Sequence, residues 1–227
     1  MTIQKIQTLH NVFGRDRGVA DETRRLLKAS GVVAVNMISG PGAGKTALLE
    51  ASAAELDKAL CFAVLEGDIA TTKDAQRIAR LGVPVIQLLT DGACHLDAPL
   101  IYEALKKLDL SSLDLLFIEN VGNLVCPANF DLGEDVRVAL LSVTEGDDKP
   151  LKYPLLFQKA DLIVLSKIDL LAHTDFRIDA VVAHMRRLNP SAPIIELSAR
   201  TGQGIGQWID WLKQRVHCSG SSEPALA

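Results

Sequence analysis

Seven short aliphatic runs punctuate the chain: VVAVNMI (32–38), LCFAVLE (60–66), VPVIQLL (83–89), LDLLFIE (113–119), VRVALLSV (136–143), DLIVLSK (161–167) and PIIELSA (193–199). They are near-continuous rather than alternating, which implies burial on both faces and so strands of a parallel sheet. Between them aliphatic residues recur at three- and four-residue spacing, predicting helices over 46–58, 74–81, 97–108, 175–188 and 203–216. A further helix is predicted over 21–30, with Asp21 placed to cap it, Gly31 to stop it, and the margin of the sheet as its packing surface. Strand and helix in alternation give an α/β fold, a mostly parallel sheet with helices on both faces.

The chain has 227 residues, 48% of them hydrophobic, which suits one core better than two. The expected organisation is an N-terminal extension with its helix over 1–30, the main body over 31–216, and a flexible tail over 217–227, where HCSGSSEPALA is too small and polar to join a core. Net charge is -4 and the basic residues are dispersed, so no nucleic-acid footprint exists. The start, MTIQKIQTLHNVF, lacks a signal-peptide core, and no later apolar run approaches the roughly 18 residues of a membrane span, so a cytoplasmic protein without membrane insertion is expected. In that reducing compartment the four cysteines, at 61, 94, 126 and 218, read as buried thiols or metal ligands rather than disulfides.

Directly after the first run comes SGPGAGKT, residues 39–46, opening the first strong helix. Strand, glycine-rich loop and helix in that order form the context of a P-loop. Gly40, Gly42 and Gly44 let the backbone wrap close to phosphate oxygens, Ala43 and Ala47 complete the loop and the helix start, Lys45 adds positive charge, and Thr46 offers its hydroxyl to Mg²⁺. One departure is Ser39, where the pattern has glycine. Acidic residues at the ends of later strands, Asp68 in EGDIATT and Glu119 in FIENVGN, are expected near Mg²⁺ or its water shell and, with Lys45 and Thr46, form the expected catalytic group. Glu66, in the same motif, reads evenly as a residue near Mg²⁺ or as a helix cap or solvated loop charge.

SKID (166–169) and SAR (198–200) also fall at strand ends. The carboxylate of Asp169 can accept from guanine N1–H and the 2-amino group, whereas adenine offers an acceptor at N1 and no 2-amino donor. Lys167 would lay its stem along the base, and amides near Ser198, Ala199 and Arg200 would reach the guanine oxygen. GTP and GDP are therefore the expected nucleotides. Ser166 stands where such motifs carry Asn or Thr, a shorter side chain with less hydrogen-bonding capacity.

DGACHLDAP places Cys94 and His95 after the third run, and NLVCPANF places Cys126 soon after Glu119. Thiolate and imidazole suit nickel or zinc, but Cys94 and His95 give two of the four ligands of a closed tetrahedral site, so a second copy of the chain is expected to contribute, with Cys126 extending the coordination sphere. Cys61 is expected in the core and Cys218 in the solvent-exposed tail.

GPGAGKT, EGDIATTKDAQRI, GACHLDA, FIENVGNLVCPANFDLGE and YPLLFQKADLIVLSKIDL together resemble the HypB family, nickel-incorporation GTPases of the P-loop, SIMIBI class that serve nickel–iron hydrogenase assembly, and the resemblance covers nearly the whole chain. It implies a GTPase that acts as a metallochaperone, working as a nucleotide- or metal-dependent homodimer; hydrolysis is expected to be slow because no residue is assignable as an arginine finger or water-positioning Gln. It implies phosphate at Gly42, Gly44, Lys45 and Thr46, Mg²⁺ near Asp68 and Glu119, guanine at Lys167 and Asp169, and Ni²⁺ or Zn²⁺ at Cys94, His95 and Cys126. As partners it implies a zinc-containing nickel-loading accessory protein and the hydrogenase large subunit. The Cys-rich N-terminal motif and His-rich segment of some members are absent from this sequence. An accessory GTPase for urease or a cobalamin enzyme shares the nucleotide motifs, but GACHLDA and NLVCP argue against it. A metal carrier with a vestigial nucleotide site is opposed by intact Lys45, Thr46 and Asp169.

Overall fold

The computed structural model describes residues 4–7, 16–56, 59–68, 72–90 and 92–220. All seven aliphatic runs form strands: β2 (Val33–Ser39), β3 (Phe62–Asp68), β4 (Val85–Leu89), β5 (Leu115–Glu119), β6 (Val136–Ser142), β7 (Leu162–Ser166) and β8 (Ile194–Leu197). An unpredicted strand, β1 (Gln4–Gln7), joins them, pairing in parallel with β4. The sheet order is β1-β4-β3-β5-β2-β6-β7-β8, and every pairing among the described residues is parallel. The fold is thus α/β with an all-parallel sheet.

The helices are α1 (Asp16–Ser30), α2 (Lys45–Leu56), α3 (Lys73–Ala79), α4 (Ala98–Leu105), the short α5 (Lys149–Lys152) and α6 (Pro154–Gln158), α7 (Ile178–Leu188) and α8 (Ile205–Gly220). Residues of β2 alternate between the two faces of the sheet. Val33, Val35 and Met37 pack with α2, α3 and α8; Ala34 packs with α4 and Leu27 of α1; Ile38 packs with α6 and α7. Burial on both faces explains why the strands carry continuous aliphatic sequence.

Four expectations change. Helix α1 starts at Asp16, so Asp21 is not its cap; Asp21 lies inside the helix and pairs with Arg24 at 2.9 Å. The same helix packs beside α4, with Leu27 in the cluster of Ala34, Leu65 and Leu116, over central strands rather than the sheet margin. Helix α8 runs past Val216 to Gly220, so Cys218 is exposed on a helix; residues 221–227 of the expected tail lie outside the described residues. Cys61 is exposed instead of buried, because β3 begins only at Phe62 and Cys61 occupies the turn where its N–H donates to Asp114 Oδ2 at 2.7 Å. Among the described residues no helix is long and apolar enough to cross a membrane.

Parallel strands bring all their carboxyl ends to one edge. From β2 the chain moves to β3 and β4 on one side and later to β6, β7 and β8 on the other, so the order reverses around β2 and β5. Ligand crevices form at such a reversal.

Candidate nucleotide and metal site

At that reversal β2 ends on Ser39 and α2 begins at Lys45. Gly42 and Gly44 hold φ of 72° and 100°, a left-handed backbone that a side chain would strain, and this curls the loop over the start of α2. Lys45 Nζ donates to Ser39 Oγ at 3.0 Å, and Ser39 Oγ donates to Gly40 O at 2.8 Å. Burial lowers the Lys45 pKa, against the opposing pull of Glu119, Asp74, Glu145 and Glu66. A cavity of about 490 Å³ opens here, lined by Gly42, Gly44, Lys45, Thr46, Ala47, Glu66, Asp68, Asp74, Arg77, Glu119, Asn120 and Lys167 among others. Gly40 is not on its wall; a Cβ there would lie 2.1 Å from Glu145 Oε1, so this glycine makes room for a carboxylate.

Thr46 Oγ1 donates to Glu119 Oε1 at 2.7 Å, joining the start of α2 to the end of β5. Carboxylate oxygens of Glu66, Asp68 and Asp74 lie within 4.8 Å of one another on the same wall. Glu66 is 2% exposed and sits within β3, so it is neither a helix cap nor a solvated charge. Burial, reinforced by Glu119, Asp68 and Asp74, pushes its pKa up to about 9. Glu66 Oε2 and Glu119 Oε2 are buried without a hydrogen-bond partner among the described residues. Arg77, on α3, reaches Glu50 through Nε at 2.9 Å and Nη2 at 2.6 Å, and Asp74 through Nη1 at 3.0 Å.

A second cavity of about 240 Å³ is lined by Ala43, Gly44, Ala47, Ser166, Lys167, Asp169, Leu170, Leu197, Ser198, Ala199 and Arg200, and shares Gly44, Ala47 and Lys167 with the first. Lys167 takes a left-handed φ of 59° and its Nζ donates to Gly42 O at 2.6 Å; Ser166 Oγ donates to Ala43 O at 2.6 Å. The short Ser166 side chain thus ties the end of β7 to the phosphate loop. The Ser198 N–H is already donated to Gln203 O at 2.9 Å, so it is not available as an amide for a base.

Beside the first cavity, ligand atoms of Cys94, His95 and Cys126 lie within 4.8 Å of one another, all half-buried. One chain therefore assembles three ligands, where the sequence pattern assured two. Cys94 Sγ is 3.8 Å from His95 Nδ1, and the His95 ring stacks on Phe130 at 3.7 Å between centroids. The neighbouring Cys126 thiol, with burial, raises the Cys94 pKa, so the thiol form is favoured until a cation replaces the proton. Asn123 Nδ2 donates to Cys94 O at 3.2 Å.

The family model described as "CobW/HypB/UreG, nucleotide-binding domain" matches residues 34–196, a span that contains the first cavity, the Cys–His–Cys cluster and the second cavity up to its wall at Leu197–Arg200. The hydrogenase maturation factor HypB of Azotobacter vinelandii is 49% identical over 205 residues, 90% of this chain and 68% of that one. The chain belongs to the HypB family. Two solved HypB structures share the fold over most of the chain. The protein from Archaeoglobus fulgidus superposes with a TM-score of 0.85 at 41% identity, over 90% of this chain and 100% of that one. HypB from Helicobacter pylori, solved in complex with nickel, gives a TM-score of 0.87 at 38% identity, over 94% and 100%.

Within this HypB-family chain the donor set beside the phosphate loop fits a hard divalent cation: a threonine hydroxyl, several carboxylates, and two buried carboxylate oxygens lacking partners. Sequence reasoning missed Asp74 and Arg77, which the α3 periodicity presented as an ordinary polar face. It also passed over Asn36, Asn120, Glu134 and Arg137, although a lone Asn inside VVAVNMI was a visible signal of a buried polar contact.

Proposed function

We propose that this chain is a GTP-binding and GTP-hydrolysing metallochaperone that delivers nickel during nickel–iron hydrogenase maturation, with nucleotide state controlling the metal site. The observation that carries this reading is spatial: the phosphate-loop cavity, the base-sized cavity and the Cys94–His95–Cys126 cluster share one edge of the sheet, and Glu119 beside the phosphate loop is followed directly by Asn120, which accepts the Leu96 N–H in the loop that carries Cys94 and His95.

The start of α2, with Lys45, favours bound phosphate through its dipole and charge. Asp169 accepts from the guanine edge while Lys167, pinned across Gly42, covers the base; Ala199 takes over the amide role that Ser198 cannot fill. Mg²⁺, held by Thr46, Asp68 and Glu119, would neutralise charge on the phosphates. Lys45, itself buried at the cavity wall, stabilises negative charge on the transferred group, while Arg77 is committed to Glu50 and Asp74. Nickel is the cargo. Three ligands from one chain leave a coordination position for a second copy or for the receiving protein, which suits transfer better than storage. The partners in this reading are a second copy of the chain, a zinc-containing nickel-loading accessory protein, and the hydrogenase large subunit.

GTP turnover and nickel binding measured on wild type, Lys45→Ala and Cys94→Ala test this assignment. Lys45→Ala is expected to lose turnover and keep the metal site; Cys94→Ala is expected to keep turnover and lose nickel affinity. Undiminished turnover in Lys45→Ala would overturn the phosphate-loop assignment.

A further inference from the structure

A chain of hydrogen bonds, buried at Asn120, Asn36 and Glu134 and half-buried at Arg137, runs from the nucleotide cavity through the sheet to the segment of the metal cluster. Asn120, on the cavity wall, donates from Nδ2 to Asn36 Oδ1 at 3.2 Å. Asn36 Nδ2 donates to Glu134 Oε1 at 3.2 Å, and the same oxygen accepts from Arg137 Nε at 2.6 Å. Arg137 then donates from Nη1 to Ala128 O at 3.2 Å and from Nη2 to Phe130 O at 2.6 Å. Those carbonyls belong to the segment that carries Cys126 and the ring stacked on His95. From its other end Asn120 accepts, at Oδ1, the N–H of Leu96 at 3.4 Å, in the loop that carries Cys94 and His95.

Asn36, Asn120 and Glu134 are all buried, Asn36 completely. Apolar residues of similar size at such positions are typically neutral or better for stability, whereas a single missing partner leaves a buried polar group that costs about 1–3 kcal/mol. Stability alone does not call for Asn in the middle of VAVNMIS. The arrangement instead makes both ligand-bearing loops depend on one side chain, and that side chain follows directly on Glu119, which accepts the Thr46 hydroxyl beside the phosphate loop. A displacement of Glu119 when ligand fills the cavity moves Asn120 with it.

Resting on the nucleotide–metal coupling proposed above, we infer that Asn120, relayed through Asn36, Glu134 and Arg137, is the positioning residue through which the nucleotide site sets the geometry of Cys94, His95 and Cys126. Coupling of this kind is reciprocal, so nickel also alters nucleotide affinity through the same residues.

The test cuts the relay away from both sites. Asn36→Ala removes the middle link, and Arg137→Lys keeps a positive charge for Glu134 but lacks the fork that reaches two carbonyls. Nickel chloride is titrated into the full chain with Mg²⁺ and either GDP or a non-hydrolysable GTP analogue, and the ratio of the two nickel affinities is the readout. Wild type is expected to differ by about tenfold between the states, equivalent to about 1.4 kcal/mol of differential interaction. Both variants cut the branch to the Cys126 segment and leave the Asn120–Leu96 contact, so each is expected to lower the ratio at least about twofold from wild type while binding GDP as wild type does; GDP binding also reports that each is folded, and if Asn36→Ala does not fold, Arg137→Lys decides. A full wild-type ratio in the folded variants overturns the relay. A wild-type ratio of one overturns the coupling reading itself, and the relay with it.

Discussion

Replacing Asp169 by Asn tests the base cavity atom by atom. Asp169 stands in the 3₁₀ turn after β7 and lines the 240 Å³ cavity between the phosphate loop and the turn after β8. In the proposed reading its carboxylate accepts two N–H donors from guanine. Hydrogen bonds to a charged group contribute about 1.5–3 kcal/mol each, and the half-exposed Asp169 belongs at the low end, so the pair contributes about 3 kcal/mol. Asn can present one carbonyl oxygen to one donor, but its NH₂ then faces the second donor, so most of that contribution is lost and GDP affinity should fall by roughly a hundredfold. The same NH₂ suits xanthine, which carries an acceptor oxygen where guanine has the 2-amino group, so XDP should bind Asp169→Asn more tightly than it binds wild type. Competition binding of GDP, XDP and ADP at fixed Mg²⁺ and salt measures all three affinities. Unchanged GDP affinity in the variant, or no gain for XDP, would refute the placement of guanine in this cavity.

Lys45→Ala removes the only lysine on the phosphate loop and is expected to lower GTP turnover by roughly 10²–10³, read in a phosphate-release assay. Cys94→Ala removes one of the three clustered donor side chains of the proposed nickel site and should weaken nickel binding by at least roughly 10–100-fold, the amount that even outer-shell partners contribute, while turnover stays near wild type. Glu66 is a carboxyl whose folded pKa, about 9, stands above its ordinary 4.5. The folded state therefore holds a proton that the unfolded chain has released across that window, so nucleotide- and metal-free protein loses stability as pH rises from about 5 to about 9. Denaturant midpoints should fall across that range in wild type and fall less in Glu66→Gln; parallel slopes would show that Glu66 is not held neutral.

The six interior strands were legible because a parallel strand buried on both faces is almost continuously apolar, as in the buried run 115–118, and the edge strand β8 was legible from its short aliphatic run 193–199 although Glu196 is exposed. The edge strand Gln4–Gln7 was not, since QKIQ offers one aliphatic residue and its pairing with β4 is decided by tertiary contact. Helix starts failed where a good capping residue lay inside the helix: Asp21 has the chemistry of a cap, yet the chain is already helical from Asp16. The short helices at Lys149–Lys152 and Pro154–Gln158 are too brief for a periodic signal.

At the candidate site, the strand-end motifs located Lys45, Thr46, Asp169 and the Cys–His pair because loop chemistry is encoded locally. The assembly of Cys126 with Cys94 and His95 was not encoded locally, as it depends on β4 and β5 flanking β3 in the sheet. Nor was the commitment of the Ser198 amide to Gln203, or the buried partnership of Asn36 with Asn120, 84 positions away in the chain. Local chemistry is visible in sequence; which polar groups consume one another is a property of the packed sheet.

If nucleotide state governs the metal cluster, nickel affinity of the wild-type chain, with dimer mass followed in parallel, responds directly to replacing GDP by a non-hydrolysable GTP analogue, each with Mg²⁺. Affinities that differ between the two states, with the difference abolished in Cys94→Ala, are the predicted result. Affinities and dimer mass that are the same in both states would contradict the account and would leave GTP controlling the docking of partner proteins rather than the nickel site.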